Sequence, residues 1–178
     1  LAKTLARIKT EGGRLSVLYI DLDNFKNVND VFGHNQGDDL LVQVSQRLSS
    51  VLTENDTLCR IGCDEFILLM DHLDNESLIY LTAGRLQAVL KKPFLLDFKK
   101  IYVNASIGIS IYPGDGENPL DLIRSADMAM HKAKREGKNR HVLFSKGMHE
   151  ELYEKFRTEN GIRYGLLNRE FVVHYQPK

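Results

Sequence analysis

Two aspartates carry the first chemical suggestion. Asp21 directly follows the apolar run Ser16-Val17-Leu18-Tyr19-Ile20, and Asp64 lies between two short segments, Thr57 to Ile61 and Glu65 to Met70. A carboxylate at the exit of a buried strand is costly unless it binds something or reaches solvent. If those segments are neighbouring strands, both acids arrive at one sheet edge. Two hard oxygen ligands on a rigid platform, with room for waters and phosphates, are how proteins usually hold Mg²⁺. Two such ions can activate an attacking oxygen and neutralise charge on a leaving pyrophosphate. A competing explanation stays open at this level, because turns favour Asp for reasons of their own.

The elements that must position these acids follow from periodicity and punctuation. Residues 16–20 form a continuous apolar run too short for a helix, as expected of a central strand buried on both faces. A helix is predicted over residues 1–10 and another over 25–32, each stopped by glycine. Leu40, Leu41, Val44, Leu48, Val51 and Leu52 make one stripe at 3.6 periodicity, which predicts a long amphipathic helix over 36–52. Gly62-Cys63-Asp64 reads as a tight hairpin turn between the next two strands. A helix over 75–92 has Asp74 or Asn75 as cap and Pro93 as terminator. Residues 94–98 and 101–112 read as an antiparallel pair, and Asn118-Pro119 opens a helix that runs to about Glu136. The order strand, helix, strand, strand, helix, strand, helix, strand predicts an α+β fold, with a mostly antiparallel sheet and helices on its faces.

Composition narrows the function. The chain has 178 residues, and Lys+Arg and Asp+Glu both number 24, so no net field draws it to nucleic acid or anionic membrane. Cys59 and Cys63 are too few for a disulfide scaffold and lack zinc spacing, which suits a reducing cytoplasm. No apolar run approaches the roughly 18 residues of a membrane span. The chain reads as an excerpt of a longer protein, with no direct membrane contact of its own.

Three ordered segments carry a resemblance. Tyr19-Ile20-Asp21-Leu22-Asp23-Asn24-Phe25-Lys26-Asn27-Val28-Asn29-Asp30 is similar to D-x-D-x-F-K-x-x-N-D at a strand exit, and Gly33-His34-Asn35-Gln36-Gly37-Asp38 to G-H-x-x-G-D. Arg60-Ile61-Gly62-Cys63-Asp64-Glu65-Phe66 is similar to R-x-G-G-D-E-F in all but one place. The chain therefore resembles the GGDEF domains of diguanylate cyclases, and the match runs on through residues 103–109, 126–127, 133–134 and 137–139. That family implies a polymerase-palm-like fold with a ferredoxin-like core, one GTP per subunit, and a homodimer that makes cyclic di-GMP. Carried over by position, Asp21 and Asp64 would ligate Mg²⁺ or Mn²⁺, and Leu22 would lend its carbonyl. Asp64 and Glu65 of the signature, with Lys26 steadying phosphoryl charge, would be catalytic. Asn29 and Asp38 would read the guanine edge, His34 would lie near the nucleotide, and the Gly62-Cys63 backbone would approach the phosphates. Lys134 and Lys138 correspond to positions that grip terminal phosphates, though an arginine is commoner at the second. Cations are also favoured at a helix C-terminus for reasons unrelated to ligand.

The pattern breaks at Cys63, which replaces the second signature glycine. If the turn demands positive φ there, a non-glycine residue costs on the order of 1–2 kcal/mol. The family's product-inhibition motif, R-x-x-D, is represented by Thr53-Glu54-Asn55-Asp56, with the aspartate but not the arginine. These features leave two functions: a cyclase, or a weak or inactive GTP-binding module that regulates an adjoining EAL phosphodiesterase domain. Residues 1–145 would be the GGDEF domain, 146–168 a linker helix, and 169–178, with Glu170-Phe171-Val172-Val173-His174-Tyr175-Gln176-Pro177, the first strand of a truncated EAL domain.

Overall fold

The computed structural model describes residues 1–71 and 75–175 of the chain. They fall into two compact units, residues 1–145 and the residues from Lys146 onward. In the first unit, β1 (Leu15–Leu22) is buried along its whole length. It pairs antiparallel with β3 (Glu65–Met70) on one side and β6 (Ala105–Tyr112) on the other. Outside these lie β2 (Thr57–Arg60), antiparallel to β3, and β7 (His141–Leu143), parallel to β6. The five-stranded order is β2-β3-β1-β6-β7, a mixed and mostly antiparallel sheet.

Alternation along the strands divides the core into two layers. Leu18, Ile20 and Leu22 pack with Phe66, Leu68 and Met70. They lie against α3 (His34–Ser49) and α4 (Glu76–Leu90), through Leu40, Val44, Ile79 and Leu86. Val17, Tyr19, Ile67 and Leu69 face the other way, against α1 (Ala2–Glu11) and α5 (Pro119–Arg135), through Leu5, Ile8, Leu122, Ala126 and Met130. Full burial of each such aliphatic side chain stabilises by about 1.5–3 kcal/mol. Gly108 of β6 sets how closely α5 sits, since a Cβ there would collide with the backbone at Ala126 and Met130. The capping residues read from sequence act as such. Asn75 accepts from Ser77 N at 2.9 Å, and Asn118 accepts from Asp121 N at 3.0 Å with Pro119 in the first turn. The alternative cap, Asp74, lies outside the described residues.

Two expectations are corrected. The segment 101–112 is not one strand: β5 (Lys99–Ile101) pairs only with β4 (Phe94–Leu96) in a separate hairpin, and β6 starts at Ala105. The break falls where Val103 turns into the core and Asn104 O accepts from Asp23 N at 2.8 Å, which ends the ladder. The long helix begins at His34 rather than Gln36, because Gly33 (φ 83) both ends α2 (Phe25–Phe32) and opens α3.

In the second unit, α6 (Gly147–Leu167) ends where Arg169 takes φ 57 and Glu170 N reaches back to Gly165 O at 2.8 Å. Phe171 lies against Gly165, where a Cβ would stand 2.8 Å from its ring. Residues 171–175 carry no strand, as an extended segment without a pairing partner makes none, and Gln176 to Lys178 lie outside the described residues.

Candidate active site

The β1 and β3 strands bring the two aspartates of the opening argument together. Asp21 stands opposite Glu65 in the ladder, and the pairing continues one bond further, with Leu22 N donating to Asp64 O at 3.1 Å. Asp64 is thereby held against the end of β1. Asp21 is only 5% exposed. Its Oδ2 meets Lys134 Nζ at 2.6 Å, while its Oδ1 is buried without a hydrogen-bond partner. Burial pushes the Asp21 carboxyl above the usual carboxylate range, against the pull of Lys134, and the charges of Asp64 and Glu65 push the same way as burial. An orphaned carboxylate oxygen beside a second carboxylate fits a hard divalent cation. No group of three His, Cys, Asp or Glu ligands occurs among the described residues, so waters, backbone or substrate oxygens would complete the coordination.

Glu65 lies on the α5 face of the sheet, as do Tyr19 and Asp21. Burial, with the nearby Glu65 carboxylate adding to it, drives the Tyr19 phenol strongly upward, so Tyr19 stays protonated beside Glu65. Glu65 in turn folds over Gly62, where a Cβ would collide with its Oε2.

Cys63 corrects the strain argument, because neither it nor Gly62 has positive φ. The connection is wider than a two-residue turn: Ile61 N and Gly62 N both point to Glu65 O, at 3.0 and 3.4 Å. Arg60 braces it, donating from Nε to Gly62 O at 2.9 Å and from Nη2 to Cys63 O at 3.0 Å. With the extra residue in the loop, no position has to enter the left-handed region. The Cys63 thiol is exposed.

Asn24 (φ 60) opens α2 without a side-chain cap, and although Asn27 N donates to Asn24 O at 3.0 Å, the N–H groups of Phe25 and Lys26 point out of the helix start, where an anion is favoured. Lys26 is exposed on that turn. One turn on, Asn29 directs a buried, unpartnered Oδ1 toward Gly37 of α3, where any Cβ would collide with it. Asp38 is the next residue and is exposed, as is His34 at the start of α3. Asn29, Gly37 and Asp38 thus lie together where α2 meets α3.

The two lysines separate. Lys134 reaches Asp21, whereas Lys138 (φ 62) donates to Asn24 Oδ1 at 2.7 Å, at the entry to α2. Asp23, the second acid of the D-x-D segment, points away from any metal site. Its oxygens accept from Ser106 Oγ at 2.7 Å and from Asn139 N at 3.0 Å, tying the β1 exit to β6 and to the loop after α5. Asp127 lies on α5 at helical spacing from Lys134, its carboxyl raised by burial and by Glu65 while His131 and Lys134 oppose the rise. Sequence reasoning did not single out Tyr19, Arg60, Asp23 or Asp127. Alternation from Asp21 points to Tyr19, and helical spacing from Lys134 points to Asp127. At the inhibition-motif position, Asp56 is occupied locally, accepting from Thr53 N and Oγ1 at 2.8 Å each.

A mostly antiparallel sheet with paired acids at one strand exit, a bare helix N-terminus beside them and helices behind defines a nucleotide-cyclase-type palm domain. The family model "Diguanylate cyclase, GGDEF domain" matches residues 1–140, and the chain belongs to that family. It is 38% identical over 93% of its length to the bifunctional diguanylate cyclase/cyclic di-GMP phosphodiesterase MucR of Pseudomonas aeruginosa, covering 24% of that protein. It is 36% identical over 97% of its length to the cyclic di-GMP phosphodiesterase NbdA of the same organism, covering 22% of it. The chain thus spans about a quarter of the length of these relatives. The solved GGDEF domain of TpbB (YfiN), also from P. aeruginosa, superimposes with a TM-score of 0.82 at 33% identity, over 85% of this chain and 89% of that one. The chain is a diguanylate cyclase-type domain of cyclic di-GMP signalling.

Proposed function

We propose that the chain binds GTP and a divalent cation, Mg²⁺ or Mn²⁺, at the β1 exit, and that two copies facing each other condense two GTP to cyclic di-GMP and two pyrophosphates. The observation that carries this reading is the buried, partnerless Asp21 Oδ1 next to Asp64. Asp21, Asp64 and the Leu22 carbonyl would hold the metal, which supplies charge neutralisation for the phosphates. Asn29 and Asp38 would bind the guanine edge, with His34 at the rim, and the α2 N-terminus and the Gly62-Cys63 backbone would line the phosphate path. Lys26 and Lys134 would counter phosphate charge, and Lys138 would act through Asn24 at the same entry.

In each half-reaction, a 3′-hydroxyl of one GTP attacks the α-phosphorus of the other. The new 3′-O–P bond forms as the bond to pyrophosphate breaks, and the hydroxyl proton passes to a base, for which Asp64 is the candidate. Glu65, opposite Asp21 in the ladder, would keep the turn in register with β1.

A second reading, a GTP-binding module that regulates an adjoining EAL phosphodiesterase domain with little or no turnover, is favoured by one observation. The Cys63 thiol stands exposed on the turn where the backbone would meet phosphates. Likeness to both a bifunctional relative and a phosphodiesterase agrees with either reading. Purified chain incubated with GTP and Mg²⁺ is expected to yield cyclic di-GMP, and Cys63→Gly to yield more. Product from Cys63→Gly alone would favour the regulatory reading, and absence of GTP binding by both proteins would end both.

A further inference from the structure

We propose that Lys134 is a resident cation on Asp21 that a divalent ion must displace, so that metal and nucleotide phosphates enter the site together. The inference rests on the reading of Asp21 as a metal ligand, and goes beyond it. The Asp21 side chain is 7% exposed and the Lys134 side chain 31%, so the ammonium sits at the mouth and the carboxylate behind it. Oδ2 is capped by Nζ at 2.6 Å, and Oδ1 is closed off from solvent. A hydrated ion therefore meets no open face of this carboxylate until the lysine moves.

Asp64 and Glu65 make the pocket around Asp21 strongly anionic, and one positive charge resides there already. A dipositive ion beside an ammonium on the same carboxylate is repelled, and the repulsion is large where water is scarce. Lysine is suited to exchange: a compact charge on a flexible stem, anchored here in the last turn of α5. Triphosphate beside the α2 N-terminus offers Lys134 a replacement anion, which lowers the cost of releasing Asp21. Metal and nucleotide are then coupled through one side chain, each tightening the other. Metal alone binds weakly because Lys134 already neutralises the same carboxylate and blocks the approach to it.

Mn²⁺ binding to the 178-residue chain without nucleotide, followed by electron paramagnetic resonance, tests this for wild type, Lys134→Met, Lys134→Gln, Asp21→Asn and Asp21→Asn with Lys134→Met. Thermal melts verify that each protein is folded. The two lysine variants are expected to bind Mn²⁺ at least about tenfold more tightly than wild type, and Asp21→Asn to abolish the gain. A non-hydrolysable GTP analogue should tighten Mn²⁺ binding more in wild type than in either lysine variant. Binding no tighter than wild type in both folded lysine variants, undetectable binding included, overturns the proposal. If Asp21→Asn also removes the analogue-dependent Mn²⁺ binding of wild type, the functional reading survives that outcome. If the double variant retains the tightened binding, Asp21 is not the ligand and both fail.

Discussion

Cys63 lies in the turn between β2 and β3, where its carbonyl accepts from Arg60 Nη2 at 3.0 Å. A tight hairpin over Gly62-Cys63-Asp64 would ask for positive φ at Cys63, yet neither Gly62 nor Cys63 enters the left-handed region. A Cβ at Gly62 would meet the Glu65 side chain, and Cys63 only presents a thiol to solvent. Left-handed strain would make Cys63→Gly stabilising by about 1–2 kcal/mol. Without it, the added freedom of glycine in the unfolded chain makes the same change destabilising by up to about 1 kcal/mol. Urea denaturation of the two proteins separates these cases, and a clear gain for Cys63→Gly would restore the strained turn. The identities of Asp21, Asp64, Lys26, Asn29 and Asp38 were legible because their motifs are contiguous. The contact between Lys134 and Asp21 joins residues distant in sequence and depends on how α5 packs on the sheet.

Among the elements, α5 depends on a single missing side chain. Gly108→Ala would drive a Cβ into the helix backbone at Ala126 and Met130. Overpacking of that kind costs about 1–3 kcal/mol, and here it also lifts Lys134 from Asp21. Calorimetry should register the lost stability, and an unchanged melting temperature would mean that α5 sits less tightly than described. His141 of β7 makes the sheet edge acid-sensitive. Burial holds its imidazole below the ordinary value of 6.5, with Nδ1 3.0 Å from Gln87 Oε1. A depressed folded value means that the stability is present above pH 6.5 and is lost as pH falls through the folded value. His141→Gln should therefore flatten the fall in urea midpoint between about pH 7.5 and pH 5, and an equal fall in both proteins would assign the acid sensitivity elsewhere. At this scale the helices and their caps were readable because Asn75 and Asn118-Pro119 act locally. The split between β5 and β6 was not, because the apolar pattern runs on through Ile101 to Tyr112, whereas β5 pairs with β4 and the stretch from Asn104 onward pairs with β1.

For the molecule as a whole, the α+β class followed from the order of elements, and the family, with its palm-like fold, from three spaced motifs. About three-quarters of each of these relatives lies outside the matched region. On the proposed reading, charge is gathered at one strand exit: Asp21 and Asp64 toward a cation, α2 and Lys26 toward phosphate. The most direct measurement is a crystal of the chain grown with Mn²⁺ and a non-hydrolysable GTP analogue, read by anomalous scattering. The expected map has a manganese peak about 2.2 Å from carboxylate oxygens of both Asp21 and Asp64, with phosphate oxygens on its far side. A bound guanine nucleotide whose metal peak touches neither aspartate would contradict the assignment.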